Sequence, residues 1–440
     1  MVTTSVELRR TGMLSTLCHR DFALLWFGGL LSNLGSWSTF VAVPLLVYSE
    51  TGSALATTMV FTVTVVPLLL SSIAGVFVDR WDRRRTLIVA NIILAALTMP
   101  LLVARSGHVW IIYASSFALT LAGLVVAPAE NALLPRLVGP DRLPAANSLN
   151  ALNDNLGRIA GPAVGGGLLA VGGFTAVVSF DVCTFVIAAA LVWLIRTCAA
   201  PTLACRTYGD VDEQSLVEPT STGWRQEWRE GTASVRASTL VTVIFAAAGT
   251  ALLGDAALSS LLAPFVAQTL ASGAGVLGLF LTIRGVGGVI GSLVSAQVSR
   301  RVSARHLIGW NLIALAAVVT TLVAVPVVPV ALIAAGFLGL FVVGWATSQQ
   351  SLIQTNVADR YLGRTYGVLG TITAVTLIIG SLLAGALADS IGVPALLYGA
   401  ALCYAVAGLC ALLGIRFVRA IQNRQAFPWS RTDTTRQSTE

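Results

Sequence analysis

Apolar residues along this chain fall in long unbroken blocks and not at a helical or strand period. The blocks lie at about 22–47, 54–78, 86–104, 109–131, 147–170, 174–195, 239–267, 274–297, 306–325, 328–350, 366–388 and 393–415. A block of this length is enough for an α-helix to cross the ~30 Å hydrocarbon layer of a bilayer. A helix that is apolar all round sits either deep in a large core or in lipid. A transmembrane barrel would instead show short alternating segments. The pattern therefore predicts an all-α membrane protein of twelve transmembrane helices. Residues 1–20 are polar and the first block is longer than a signal-peptide core, so no cleavable signal peptide is expected.

Composition agrees with that reading. Hydrophobic residues make up 56% of the 440 and charged residues 11%, against about 25% charged in a soluble domain. Mean hydropathy is +0.83. The net charge of +7 is explained by where it sits and is not a nucleic-acid footprint. All 27 basic residues are Arg. Threading from a cytoplasmic N-terminus puts Arg9, Arg10, Arg20, Arg80, Arg83, Arg84, Arg85, Arg136, Arg142, Arg300, Arg301, Arg305, Arg360 and Arg364 on the inner side, with the Arg residues of 196–236 and those after Gly414. The opposite loops carry only Arg105. This asymmetry fits the positive-inside rule and places both termini in the cytoplasm. The six Cys are scattered, none in a C-x-x-C pair, and only three His exist. No metal site, cofactor or disulfide framework is expected.

The chain repeats itself at long range. A shift of 220 residues carries Pro44 onto Pro264, Arg80 onto Arg300, Arg85 onto Arg305, Leu87-Ile88 onto Leu307-Ile308 and Asn91 onto Asn311. A shift of 219 carries Gly161 onto Gly380 and Gly166 onto Gly385. Two six-helix pseudo-repeats follow, 1–196 and 237–425, with a substrate site expected between them near the midplane. The joining segment, 197–236, is a polar cytoplasmic linker. Its Trp224 and Trp228 among Arg225, Glu227, Arg229 and Glu230 read as an interfacial helix. Residues 426–440 form a polar tail expected to be disordered.

Two motifs carry more than topology. The first, after the second block, runs Gly75-Val-Phe-Val-Asp79-Arg80-Trp-Asp82-Arg83-Arg84-Arg85. Its acids at a membrane edge need cationic or helix N-terminal partners, which suits a conformational ion-pair gate. The second, in the fifth block, runs Gly157-x-x-x-Gly161-Pro162-x-x-Gly165-Gly166. Its glycines make a flat packing face and its proline bends the helix.

In these residues the chain resembles the major facilitator superfamily, whose loop signature is G-x-x-x-D-R-x-G-R-[RK], with Asp82 standing where most members have Gly. The D-R-W-D-R-R-R version is similar to the drug:proton antiporter family of macrolide-efflux-type and siderophore-exporter-type pumps. Gly52-Ser53-Ala54, Ala132-Leu-Leu-Pro135-Arg136, Ala145-Ala-Asn147-Ser148 and Gly285-Val-Gly287-Gly288 carry the same resemblance. The span-5 motif resembles that of the superfamily's antiporters, although Ser148 replaces an earlier Gly. Asp79 has only Ser299 as its counterpart in the second repeat. Related pumps often have an acid near Ser36, where this chain has Asn33-Leu-Gly-Ser36-Trp37. The resemblance implies the major facilitator fold, proton-coupled export by alternating access, and a bacterial inner (plasma) membrane location.

Ionisable groups inside spans are expensive and default to functional hypotheses. Asp255 and Asp181 are the candidate proton carriers, and Arg284 is a partner charge or an anion-binding group. Asp154 and Arg158 are four apart on one face, which suits a structural ion pair, with a proton- or substrate-handling role for the two as the alternative. Glu130 and Asp389 are expected to be solvated near span ends. Aromatic and polar groups, including Trp26, Asn33, Trp37, Tyr48, Tyr113, Phe117, Phe341, Trp345, Gln349, Gln350 and Gln354, suit an apolar cavity for a large amphipathic solute. No nucleotide-binding motif and no Lys occur, which leaves secondary transport. No enzymatic set of side chains recurs at one depth. The expected protein is a monomeric exporter of an antibiotic, drug or siderophore, with the proton as coupling ion and no nucleic-acid partner. A lipid or lysophospholipid transporter, an importer, and a non-transporting membrane receptor remain as alternatives.

Overall fold

A computed structural model describes residues 13–70, 81–104, 108–139, 142–196, 239–356 and 359–425. Gly75, Asp79, Arg80, the linker 197–236 with its tryptophans, and the tail 426–440 lie outside the described residues. All regular structure among the described residues is helical. The α-helices are α1 Met13–Leu17, α2 Arg20–Thr51, α3 Ala54–Val65, α4 Arg83–Thr98, α5 Val109–Gly123, α6 Val126–Val138, α7 Leu143–Trp193, α8 Thr239–Pro264, α9 Ala274–Val298, α10 Ala304–Ala324, α11 Val328–Asn356, α12 Asp359–Ile391 and α13 Val393–Gln425. Short 3-10 turns extend α3 to Leu70 and α4 to Leu102, and a π-turn extends α8 to Thr269.

Ten helical segments among the described residues are long and apolar enough to cross a membrane, and Ala54–Leu70 is a shorter apolar helix. Helix α7 is a special case. Its 51 residues would span about 75 Å if straight, more than twice a bilayer core. It bends at Gly173, whose φ of 67° and ψ of −168° suit only a residue without a Cβ. The fifth and sixth apolar blocks are thus two helices that meet at Gly173, where the chain turns back. Large apolar side chains such as Val89, Ile92, Trp193, Ile333 and Leu402 are exposed on the outside of the bundle, where a water-soluble protein would carry charge.

The turns are built locally. Gly52 takes up φ 62° and its N–H donates to Tyr48 O, closing α2, while the Ser53 hydroxyl accepts from Ala56 N to open α3. Asp82 opens α4: its carboxylate accepts from Arg85 N at 2.8 Å. Arg84 donates from Nε to Val192 O at 3.3 Å and from Nη2 to Trp193 O. It thereby satisfies carbonyls at the C-terminal end of α7, where a cation is favoured. Asp82 and Arg84, expected in an ion-pair gate, here cap two helices.

Helices α2–α7 pack on one another, and so do α8–α13. Helix α2 lies along α7, and α8 lies between α12 and α13. The second group has one large core that includes Leu261, Phe265, Phe280, Leu312, Leu338, Leu397 and Tyr404, and Val41 and Ala54 of the first group extend into it. The first group's core around Phe22, Trp26, Leu87, Leu133 and Leu149 is smaller.

The repeat in the sequence reappears as repeated contacts. Asn91 and Asn311 each donate to the carbonyl four residues back, at 2.8 and 2.7 Å. Gly161 sits against Leu34 and Trp37 of α2, and Gly380 sits against Leu253 and Ala256 of α8. Gly166 meets α9 at Ala274 and Gly278, and Gly385 meets α3 at Leu55 and Thr58. These last two contacts join the two groups of helices. They lie at the end of the bundle that holds the Gly52, Gly173 and Gly392 turns. The Tyr48–Gln268 hydrogen bond and the buried Thr62–Ser381 hydroxyl pair, 2.8 Å apart, lie there too.

Cysteines introduced together as Thr62→Cys and Ser381→Cys should cross-link under mild oxidation. Mass spectrometry should recover a peptide joining α3 to α12, and neither single substitution should give it.

Candidate functional site

A cavity of about 1000 Å³ opens between the two groups of helices. It reaches from Pro44 and Thr57, near the closed end, to Leu152 and Ser292 farther along. Its wall is mostly apolar, with Trp37, Phe40, Phe61 and Phe185 supplying rings. The charged groups on it are Arg158 and Asp181 from α7, Asp255 from α8 and Arg284 from α9. Four of the intramembrane charges singled out in the sequence therefore meet at one place, together with Asn33, Trp37 and Pro162.

The span-5 motif sets the distance between helices. Were a Cβ placed on Gly157 it would stand 2.7 Å from Asn33 Cβ, and one on Gly165 would stand 2.7 Å from the Ser38 backbone. Real Cβ atoms do not approach so closely, so α2 rests directly on the bare backbone of α7. The opposite face reaches the other group. A Cβ on Gly278 would stand 2.5 Å from Pro162 O, and one on Gly166 would stand 3.3 Å from Gly278 Cα. The motif thus touches α2 with one face and α9 with the other. Ser38, buried between, donates to Gly161 O at 2.9 Å.

The two acids are held differently. Asp181 is 2% exposed, and its Oδ2 accepts from Thr39 Oγ1 at 2.7 Å. Its Oδ1 has no hydrogen-bond partner. It faces Gly35 of α2, where a Cβ would collide with Asp181 Oδ1 and Thr184 Oγ1. Asp255 accepts from Tyr404 OH at 3.1 Å and from Arg284 Nη2 at 3.5 Å. Both members of the Asp255–Arg284 pair are about one-fifth exposed. Under the 220-residue shift Gly35 corresponds to Asp255, and Thr184 to Tyr404. The helix contact that carries its acid on α7 in the first group carries it on α8 in the second.

Arg158 does not pair with Asp154 among the described residues. Its guanidinium lies over the Trp37 ring, 5.6 Å from the centroid. Asp154 instead accepts from Asn33 Nδ2 at 3.3 Å. Asn33 Nδ2 also donates to Asn153 Oδ1 at 3.1 Å, and Asn153 Nδ2 donates to Trp26 O at 2.7 Å. Glu130 is half-buried beside Gly29 and Asn153 and not solvated as expected. The span-4 turn that carries it leans inward on α2. Asp389 is exposed, as expected. Several aromatic candidates turn out to be packing: Trp26 Nε1 donates to Leu149 O, Tyr113 OH to Ala56 O, Phe341 stacks on Phe337, and Trp345 is buried.

With this geometry in hand, a family model described as transmembrane secretion effector matches residues 11–433. The chain belongs to that family, a branch of the major facilitator superfamily. It is a multi-pass membrane transporter and not an enzyme. The multidrug efflux pump Tap of Mycolicibacterium fortuitum is 29% identical over 84% of this chain and 90% of its own length. Macrolide efflux protein A of Streptococcus pyogenes is 26% identical over 84% and 90%. Among solved structures, a bacterial homolog of the lysosomal transporter Spinster, in an inward-facing and unoccupied conformation, aligns with TM-score 0.67 and 14% identity, covering 94% of this chain and 99% of that one. The nucleoside transporter NupG aligns with TM-score 0.69 and 11% identity over 90% and 99%. These two show the superfamily fold.

Thr39 and Tyr404, which hold the two acids of this transporter, were not singled out in the sequence. Thr39 lies one helical turn from Gly35, so spacing could have found it. Tyr404 is 149 positions from Asp255, and no local pattern points to it.

Gly35→Ala should lower the melting temperature of the purified transporter, because overpacking of this kind costs about 1–3 kcal/mol. Adding Thr184→Ala, which removes the hydroxyl the new methyl meets, should recover part of the loss in a thermal melt.

Proposed function

We propose that this chain is a proton-coupled exporter of an amphipathic small molecule, of the antibiotic, drug or siderophore type, working by alternating access. The observation that carries the reading is the shared cavity, which holds one acid from each group of helices and is closed at one end by direct contacts between the groups. The efflux-pump names of its relatives support the direction of transport.

The polypeptide crosses the membrane twelve times in this reading. The Gly173 reversal makes α7 two spans, and the apolar block that begins at Ala54 counts as the second. The halves are 1–196 and 237–425, and the Arg-rich loops put both termini in the cytoplasm of a plasma membrane. The cavity then opens to the cytoplasm, and the end closed by the Gly166–Gly278 and Gly385–Thr58 contacts faces outward. The transporter works as a monomer, since the site is complete within one chain.

Asp181 carries the proton. An ionised carboxylate with a buried and unpartnered oxygen is costly in an apolar wall, and a proton on Oδ1 removes that cost. Asp181 loses its proton to the cytoplasm while the cavity is open inward, and regains one from outside when the cavity turns over. Asp255 and Arg284 act as the charge pair of the second half. Their single contact at 3.5 Å is long for a charge-assisted bond, which prefers about 2.7–2.9 Å, so it breaks and re-forms at little cost. Gly75, Asp79 and Arg80 are proposed to contribute to the cytoplasmic closure in the outward-open state.

The reading is tested by substrate-dependent proton movement in proteoliposomes with a pH dye trapped inside. Asp181→Asn should abolish proton flux while leaving substrate exchange across the membrane measurable. Asp255→Asn should slow both. Substrate flux that proceeds with no proton movement in any orientation would reject the coupling.

A further inference from the structure

One cation on the cavity wall stands outside every ion pair among the described residues. That cation, Arg158, is exposed to the cavity. The acid one turn earlier, Asp154, is engaged by Asn33 instead. Trp37 covers one face of the guanidinium. Stacking of that kind holds the face and leaves the in-plane N–H edge free to donate. A cation standing alone in an apolar, membrane-embedded wall is expensive, and such a position is explained when the ligand brings the missing charge.

A second arginine starts from a neighbouring point on the wall. A Cβ on Gly285 would lie 3.3 Å from Ile159 Cα and 3.5 Å from Arg158 O, so residues 158–159 of α7 and 284–285 of α9 are in direct contact. Arg158 and Arg284 therefore enter the cavity from adjoining points where the two groups of helices meet. The acids there are less available to a ligand. Asp181 is buried on Thr39, and Asp255 is held by Tyr404 as well as by Arg284. The free charge that the cavity offers is positive.

We infer that the transported compound carries an acidic group, a carboxylate or an acid of similar size, on an apolar aromatic body, with Arg158 as its anchor and Arg284 as the second cation that it takes from Asp255. The inference rests on the cavity being the transport site. An anion held by both arginines ties α7 to α9, so the loaded cavity draws the two groups of helices together. Phe40, Phe61 and Phe185 supply the apolar wall for the rest of the molecule.

The test compares two dyes sharing one ring system, anionic dansylglycine and cationic dansylcadaverine. Each is titrated onto the full chain in nanodiscs, with empty nanodiscs subtracted. Saturable dansylglycine binding is expected, with dansylcadaverine at least about tenfold weaker. Arg158→Gln and Arg284→Gln should each weaken dansylglycine by about tenfold, the scale of a lost charge-assisted hydrogen bond, and Arg158→Lys should recover part of it. Size-exclusion profiles and melting temperatures of the variants identify any that fail to fold. Equal or tighter binding of the cation would overturn the inference, and so would dansylglycine binding unchanged in both Gln variants. Either result leaves the transport reading standing. Dansylglycine that binds as expected but never crosses a proteoliposome membrane would sink the transport reading and keep the acidic-ligand site. Saturable binding of neither dye would count against both.

Discussion

Helix α7 is gripped on two sides at once, and the rest of the molecule is arranged around that constraint. On one side the bare backbone at Gly157, Gly161 and Gly165 lies directly on α2. On the other, Pro162 and Gly166 touch Gly278 of α9. Without a hydrophobic force between helices in lipid, such close backbone approach is a main source of association. It has two consequences here. The first group becomes rigid along the α2–α7 seam, and where α7 meets α9 the contact with the second group runs through small residues. Elsewhere the groups are joined by few side-chain bonds, Tyr48–Gln268 and Thr62–Ser381 among them.

The polar groups follow the same geometry. Lipid offers no hydrogen bonds, so buried polar atoms need partners within the chain. Most find them close by: Ser38 on Gly161 O, Asn33 on Asn153 and Asp154, Tyr404 on Asp255. Four buried atoms among the described residues have none: Arg83 Nε, Thr282 Oγ1, Tyr366 OH and Asp181 Oδ1. Asp181 is the one of these on the cavity wall, where Arg158 also has an aromatic ring and no acid. Unsatisfied groups on a cavity wall are where a proton or a ligand has the most to contribute.

Much of this was legible in the sequence, and the limits have physical causes. Span placement followed from block length alone, because the bilayer fixes the length a helix needs. The long-range repeat was readable since Gly161 and Gly380, and Gly166 and Gly385, perform the same contact in each half. The division between the fifth and sixth blocks was readable too, since the gap between 170 and 174 contains Gly173, where the two helices of α7 meet. The Asp154–Arg158 pair failed. Spacing of four shows that two side chains can meet, but not that Asn33 and Trp37 on a neighbouring helix compete for them. Asp82, read as part of a gate, also caps α4, since the residue after a turn and before an Arg-rich helix start serves both patterns. The meeting of Asp181, Asp255, Arg158 and Arg284 depends on tertiary packing, which no one-dimensional pattern contains.

The most direct test of the central claim, that smooth small-residue contacts close one end while the other is open, is a pair of distances between spin labels. One pair is placed at Thr51 and Ser272 at the closed end, the other at Ser148 and Ser299 toward the opposite end. Pulsed electron resonance reads both pairs across an imposed proton gradient, with and without transported compound. The expected result is a second population in which the first distance lengthens and the second shortens together. Distances that stay fixed under turnover, or that change in the same direction, would contradict it.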